Sequence, residues 1–382
     1  MYKPRNFHKP VSLSLLFLLS ASCGGKSTSG DATGEQDTTV PDGTDVEEES
    51  DASPDTDEDP DALDDPNTAE TIPEVVPDPL EEPVPDLSDA EDVDEEEEWV
   101  LTASECFADK ADPELPGPEY DRFHPVIGSH CLGTNHQDID GIEKVVYLGD
   151  SITVGTPPTP FWQYYRNQLT ARLKEKFGDH VEASSCAAWG ARTDDLLLPS
   201  NQQILNCFDP PEPKRTLVVM TVGGNDFSAM AQDAGAGKPM DEIMLMAEST
   251  VDLMRDAIEW FFEEDRFPAG VFVIFSNIYE FTDGTGDLNS CLIAPFAGLG
   301  GEWPEGREPA IYVNEEYMRL AVDTQTDMIF MLEHFCGHGF HNDDPESQCY
   351  VAGDRWLDFT CIHPNPTGHT VITDMFMAVV NE

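Results

Sequence analysis

Between residues 27 and 99 the chain has no lysine and no arginine, yet it carries 30 aspartates and glutamates there. Such a stretch lacks the apolar side chains a core needs, and like charges at this density keep a chain extended. It reads as a solvated tether; a flexible coil of this length spans about 45–50 Å. Bases are scarce throughout: 20 stand against 76 acids for a net charge of −56, and residues 100–382 alone carry −30. That balance argues against nucleic acid as a partner, because little is left to neutralise phosphates. It also sets the mature chain against an anionic membrane surface. Downstream of residue 23 no apolar run is long enough to cross a bilayer. Close Cys-x-x-Cys pairs are missing, which speaks against a zinc ribbon, and no internal repeat is evident.

What is present begins at the N-terminus. Lys3, Arg5 and Lys9 precede VSLSLLFLLSA (11–21), an apolar run too short to span a membrane, followed by SASCGG. The arrangement resembles a bacterial lipoprotein signal, which implies that Cys23 becomes the lipidated first residue of the mature chain. Gly24 after it would favour the outer membrane or cell surface of a Gram-negative cell. Removing Cys23 leaves eight cysteines, all beyond residue 100. An even count in an exported chain favours disulfides, and eight cysteines allow about 105 pairings. The sequence-local pairs Cys106–Cys131 and Cys186–Cys207 are preferred.

From about residue 100 two periodicities alternate. Short apolar runs at 144–151, 181–190, 215–226, 271–278 and 327–335 read as strands. Residues 161–177, 240–263, 309–324 and 366–382 read as helices, with Trp162, Tyr165, Leu169 and Leu173 on one face and Thr193 as the N-cap of a further helix. Strands alternating with helices predict βαβ units, a parallel sheet and one three-layer α/β domain. The chain therefore divides into a signal (1–23), an acidic tether (24–99), a loop-rich lead-in (100–143) and an α/β domain (144–382). Ligands of such sheets sit at the carboxyl ends of the strands, and the unusual polar clusters fall there.

GDSITVG (149–155) puts the Ser151 hydroxyl at a strand-to-helix turn, where backbone N–H groups favour developing negative charge. Alone, such a serine is more often a plain helix cap. Gly190 in CAAWGARTDD reads either as a turn glycine or as a bare N–H facing the crevice. GGND (223–226) is ordinary turn chemistry, or a place for the Asn225 amide to bind an oxyanion. HPN (363–365) opens the last helix. Taken in order, GDS, Gly, GGND and HPN-x-x-G resemble the four blocks of the GDSL-type or SGNH hydrolases across about residues 144–382. The resemblance implies a flavodoxin-like fold with a five-stranded parallel sheet and ester hydrolysis through an acyl-enzyme on Ser151. It further implies an oxyanion hole of Ser151 N–H, Gly190 N–H and Asn225, with His363 as base. A serine hydroxyl needs a neutral imidazole within about 2.6–3.2 Å, and this chemistry requires no metal or cofactor.

Proline on both sides of Asn365 stiffens the loop after His363, whereas His369 falls inside the helix, so His363 is the candidate base. The acid departs from the family pattern, which places Asp three residues before the histidine; here that position is Thr360. Asp358 is the preferred orienting carboxylate, with a Ser–His dyad as the alternative. His334, His338 and His341 lie in a Gly-rich loop between cysteines and read as surface loop rather than metal site. The expected partner is an acyl ester of a sugar or a lipid, with the acidic domain tilting toward soluble or polysaccharide esters. The rival expectation is a catalytically silent module that keeps the fold to bind glycan or a protein.

Overall fold

The computed structural model describes residues 101–110, 115–198 and 201–382. The lipoprotein-type signal, Cys23 and the acidic tether of 24–99 lie outside the described residues. Five strands form one sheet: β1 (Lys144–Gly149), β2 (Glu182–Ser185), β3 (Thr216–Thr221), β4 (Val271–Ser276) and β5 (Asp327–Ile329). Their order is β2-β1-β3-β4-β5 and every neighbouring pair is parallel. This is the 2-1-3-4-5 order of a flavodoxin-like doubly wound sheet, as expected. The α-helices are α1 (Ala103–Cys106), α2 (Ser151–Val154), α3 (Tyr165–Phe177), α4 (Gln203–Cys207), α5 (Gly224–Gly235), α6 (Met240–Phe261), α7 (Arg307–Thr324), α8 (Met331–Phe335) and α9 (Pro366–Asn381). Helix α3 packs against α9, and α6 packs against both α5 and α7, which gives the three layers.

The central strands read as unbroken apolar runs because both of their faces are covered. All of Thr216–Thr221 is buried, as is β1 from Val145 onward. Strand β2 differs: its four residues are exposed, in keeping with the polar EASS of an edge. The other edge is closed by the lead-in. Gly133 bridges Ile329, the Thr134 N–H donates to Met328 O, and Asp327 Oδ1 accepts from Thr134 Oγ1 and the His136 N–H. Covering an edge in this way removes a template for unwanted pairing.

Three expectations are corrected here. The apolar run 327–335 is a strand only as far as Ile329, because the Phe330 N–H turns to Leu132 O and α8 then begins. Trp162 is not on the α3 face; it lies in a preceding 3₁₀ turn with 63% of its surface exposed. Thr193 does not cap a helix, since its N–H and hydroxyl both donate to Asp226 Oδ2 at 3.0 and 3.1 Å. The disulfides include both expected pairs, Cys106–Cys131 and Cys186–Cys207, together with Cys291–Cys361 and Cys336–Cys349.

Candidate active site

The carboxyl ends of β1 and β3 meet at a point where only glycine fits. A Cβ on Gly149, whose φ is +123°, would stand 2.0 Å from Thr221 O. Buried Gln203 clamps the same residue, accepting from the Gly149 N–H at 2.7 Å and donating to its carbonyl at 2.9 Å. The chain then turns directly into α2. Asp150 is its N-cap, accepting from the Ile152 N–H at 2.9 Å, and Ser151 is its first residue. The hydroxyl is thereby held at a fixed turn rather than on a mobile loop.

The partner of that hydroxyl comes from the far end of the sequence. His363 Nε2 lies 2.8 Å from Ser151 Oγ. The loop carrying the ring is a tight turn closed by a Leu357–Pro364 bridge and by the Asp358 N–H donating to His363 O at 2.9 Å. Cys361 holds a φ of +74° within it and is bonded to Cys291. After the ring, Asn365 caps α9, its Oδ1 accepting from the Gly368 N–H at 3.0 Å, with Pro366 at the first helical position.

The acid does not stand where direct contact with the ring requires it. Because Asp358 and His363 face each other across the mouth of the turn, the carboxylate folds back into the loop. There Asp358 Oδ1 accepts from the Thr360 N–H at 2.7 Å and from the Thr360 hydroxyl. The neighbour of His363 Nδ1 is Thr360 Oγ1, at 2.7 Å. A row of four side chains results: Ser151, His363, Thr360 and Asp358. Donors and acceptors run one way along it. With Nε2 accepting from Ser151, Nδ1 carries the proton and donates to Thr360, whose own hydroxyl proton goes to Asp358. Thr360 was legible only as the wrong residue in the acid's place. The signal for its role was an aspartate two residues before a hydroxyl.

Burial sets the charge of each member. His363 is pushed down to about 4 by removal from water, so the ring is neutral at ordinary pH. Asp358 is pushed up by burial, opposed by its two bonds from Thr360. Asp150, beneath the nucleophile, is raised to about 7 by burial first and then by the nearby charge of Asp226.

Three hydrogen-bond donors are expected to form an oxyanion hole. Among the described residues neither the Ser151 nor the Gly190 N–H has a partner. Gly190 takes a φ of +73°, with open space where a side chain would stand. Asn225 sits in the first turn of α5, and its Nδ2 donates one hydrogen to Ala191 O at 2.9 Å. That bond ties the amide to the Gly190 loop and leaves the second Nδ2 hydrogen free to donate.

Three of the other histidines each have one ring nitrogen engaged elsewhere. His369 is buried, and its Nδ1 accepts from the Tyr165 N–H at 3.2 Å. His334 Nε2 and His338 Nδ1 each lie 2.8 Å from a carbonyl, of Cys131 and Asp354 respectively, and His338 stacks on Trp356. No cluster of three metal-ligating side chains occurs among the described residues. Beside Ser151 a cavity of about 450 Å³ opens toward the ends of β4 and β5.

Comparison with known proteins places this geometry in context. The sequence matches the family described as GDSL-like lipase/acylhydrolase over residues 147–371. Similar folds include an acetyl xylan esterase, AlAXEase, at 20% identity and a TM-score of 0.41, over 62% of this chain and 99% of that one. The α/β hydrolase LAE5, from the metagenome of Lake Arreo, Spain, has 18% identity and a TM-score of 0.40, over 63% and 95%. A lipolytic G-D-S-L protein from Veillonella parvula DSM 2008 has 14% identity and a TM-score of 0.37, over 63% and 98%. No curated protein matches the chain.

Proposed function

Because the chain belongs to the GDSL-like lipase/acylhydrolase family of carboxylic ester hydrolases, we propose that it cleaves its ester through an acyl-enzyme on Ser151. The observation that carries this reading is the unbroken row from Ser151 through His363 and Thr360 to Asp358. Neutral His363 Nε2 takes the Ser151 proton as Oγ bonds to the acyl carbon. The carbonyl oxygen becomes an oxyanion and is held by the Ser151 and Gly190 N–H groups and the Asn225 amide. One such donor is worth about 3–4 kcal/mol in related sites. Collapse breaks the carbon–alkoxide bond, and His363 gives its proton to the departing alcohol. Water then attacks the acyl-enzyme with His363 again as base, releasing the acid and restoring the serine.

Thr360 and Asp358 are positioning residues on this reading. The Thr360 hydroxyl fixes the tautomer of the ring, and Asp358 fixes the hydroxyl. The silent-module alternative loses its motive, because Nδ1 does have a partner at the third position before the histidine. The N-terminal reading completes the proposal: an exported enzyme, lipid-anchored through Cys23 at an outer membrane or cell surface, working at the end of an acidic tether. The catalytic claim is tested by trapping with a fluorophosphonate, which modifies Ser151 in the folded protein if the hydroxyl is activated.

A further inference from the structure

The cavity beside Ser151 is far larger than a small acyl group needs. It holds about 450 Å³, within the range that buries most of a drug-sized ligand. Its walls come from Ile152 and Phe227 near the site, Ile278 after β4, and Leu288, Leu299 and Trp303 beyond. Four of the charged side chains that also line it are turned to partners of their own. Glu333 accepts from the Tyr120 hydroxyl at 2.7 Å and from Asn277 Nδ2 at 2.8 Å, and Lys110 Nζ donates to Glu333 O. Glu280 accepts from the Gly284 N–H, and Arg307 donates to Gly284 O at 2.6 Å and to Gln348 Oε1 at 2.9 Å. These groups are committed, so they offer little to the hydroxyls of a sugar, and the remaining wall is mostly apolar, interrupted by Ser104, Thr221, Asn225 and Ser228. Over the apolar stretches of the wall, water lacks the two to four polar partners that hold it.

Chemistry decides which half of the ester enters. His363 must protonate the departing alkoxide, so the alcohol leaves along the imidazole. Neither His363 nor Gly190 is part of the cavity wall, whereas Ser151, Ile152 and Asn225 are. On the other side Trp189, beside Gly190, is 65% exposed and open to solvent. The segment from Gly286 to Trp303 agrees with an apolar guest. Its ends are joined by the Trp303 N–H donating to Gly286 O at 2.8 Å; Leu288 and Leu299 face the cavity, while Leu292 and Phe296 are 90% and 79% exposed.

We propose that this cavity is the acyl site and that the substrate is an uncharged ester of an apolar acid of medium length, about six to twelve carbons, rather than an acetate. The inference rests on the ester-hydrolase reading and names its substrate class. It is tested with two sets of esters on the full chain: p-nitrophenyl esters of acids from acetate to dodecanoate, and acetates of alcohols of increasing length. Expected is a rise in kcat/KM of about fourfold for each methylene added to the acid, the ratio matching about 0.8 kcal/mol per buried methylene, until the cavity is filled. The alcohol set should show no such rise. Ala310→Phe, which narrows the cavity from α7, should lower the octanoate-to-acetate ratio about tenfold or more. If acetate is turned over but longer acids are slower, or if the gain follows the alcohol instead, the acyl-site assignment falls and the hydrolase reading stands. If the folded protein turns over no ester in either set, both fall.

Discussion

At His363 the two ring nitrogens face different neighbours, Ser151 on one side and Thr360 on the other, and the proton count follows from them. A hydroxyl beside Nδ1 accepts a hydrogen bond from the ring N–H where a carboxylate oxygen would, but more weakly and without bringing a charge. Only burial is found to move the ring's pKa, and it moves it down. On the proposed mechanism the acid limb of kcat/KM should therefore fall near pH 4 rather than near 6.5. Thr360→Val removes the acceptor and should lower kcat about 10²-fold with KM little changed, while Thr360→Ser keeps most of the activity. Thr360→Asp sets a carboxylate against Nδ1 and stabilises the imidazolium, so its acid limb should move upward. An unmoved limb in Thr360→Asp, or full activity in Thr360→Val, would show that this position does not steer the base. Asp358→Asn should be milder than Thr360→Val, because an amide oxygen still accepts from the Thr360 hydroxyl.

The elements that place these residues differ in how plainly the sequence announces them. GDS after an apolar run, GGND after another and HPN before a helix are each local signals, and each lies at a chain turn in the structure. Strand β5 was less clear, since DMIFMLEHF is apolar on every side and periodicity cannot separate strand from buried helix there. Its end is set by the lead-in, a contact between residues about two hundred positions apart. The loop 357–364 was opaque for a similar reason. Its shape depends on the Cys291–Cys361 bond and on a left-handed residue that is not glycine. Asp358 looked near enough to the ring when counted along the chain, yet the turn aims it inward at Thr360. Replacing Cys291 and Cys361 together by serine should cost about 2–4 kcal/mol of stability. It should also lower kcat below that of the intact enzyme at temperatures where both remain folded. Equal kcat in the pair, read beside their melting curves, would show that the loop holds its form without the bond.

Over the whole molecule acid dominates, and eight of the described carboxyl side chains are buried. Asp150 and Asp226 are raised by burial to about 7 and about 6, so each folded carboxyl binds its proton more tightly than in the unfolded chain. A raised folded pKa means stability that is present at low pH and lost as pH climbs through the folded value. His363 and His369, both lowered to about 4, work in the opposite sense between about 4 and 6.5. The two effects nearly cancel from about pH 6 to pH 8, where Asp150 loses its proton in the folded state while the histidines lose theirs in the unfolded one. Asp150→Asn removes the acidic side of that balance, so from pH 6 to pH 8 its melting temperature should rise relative to that of the unaltered protein, and an equal change in both would contradict these assignments. The excess negative charge of residues 100–382 repels the carboxylate product of an ester hydrolysis. The most direct test of the central claim is stoichiometric labelling of the full chain with a fluorophosphonate, read by mass spectrometry of the intact protein and of its peptides. The account predicts one adduct per chain on Ser151, abolished in both Ser151→Ala and His363→Ala. A folded protein that takes up no label, or takes it up at another residue, would contradict it.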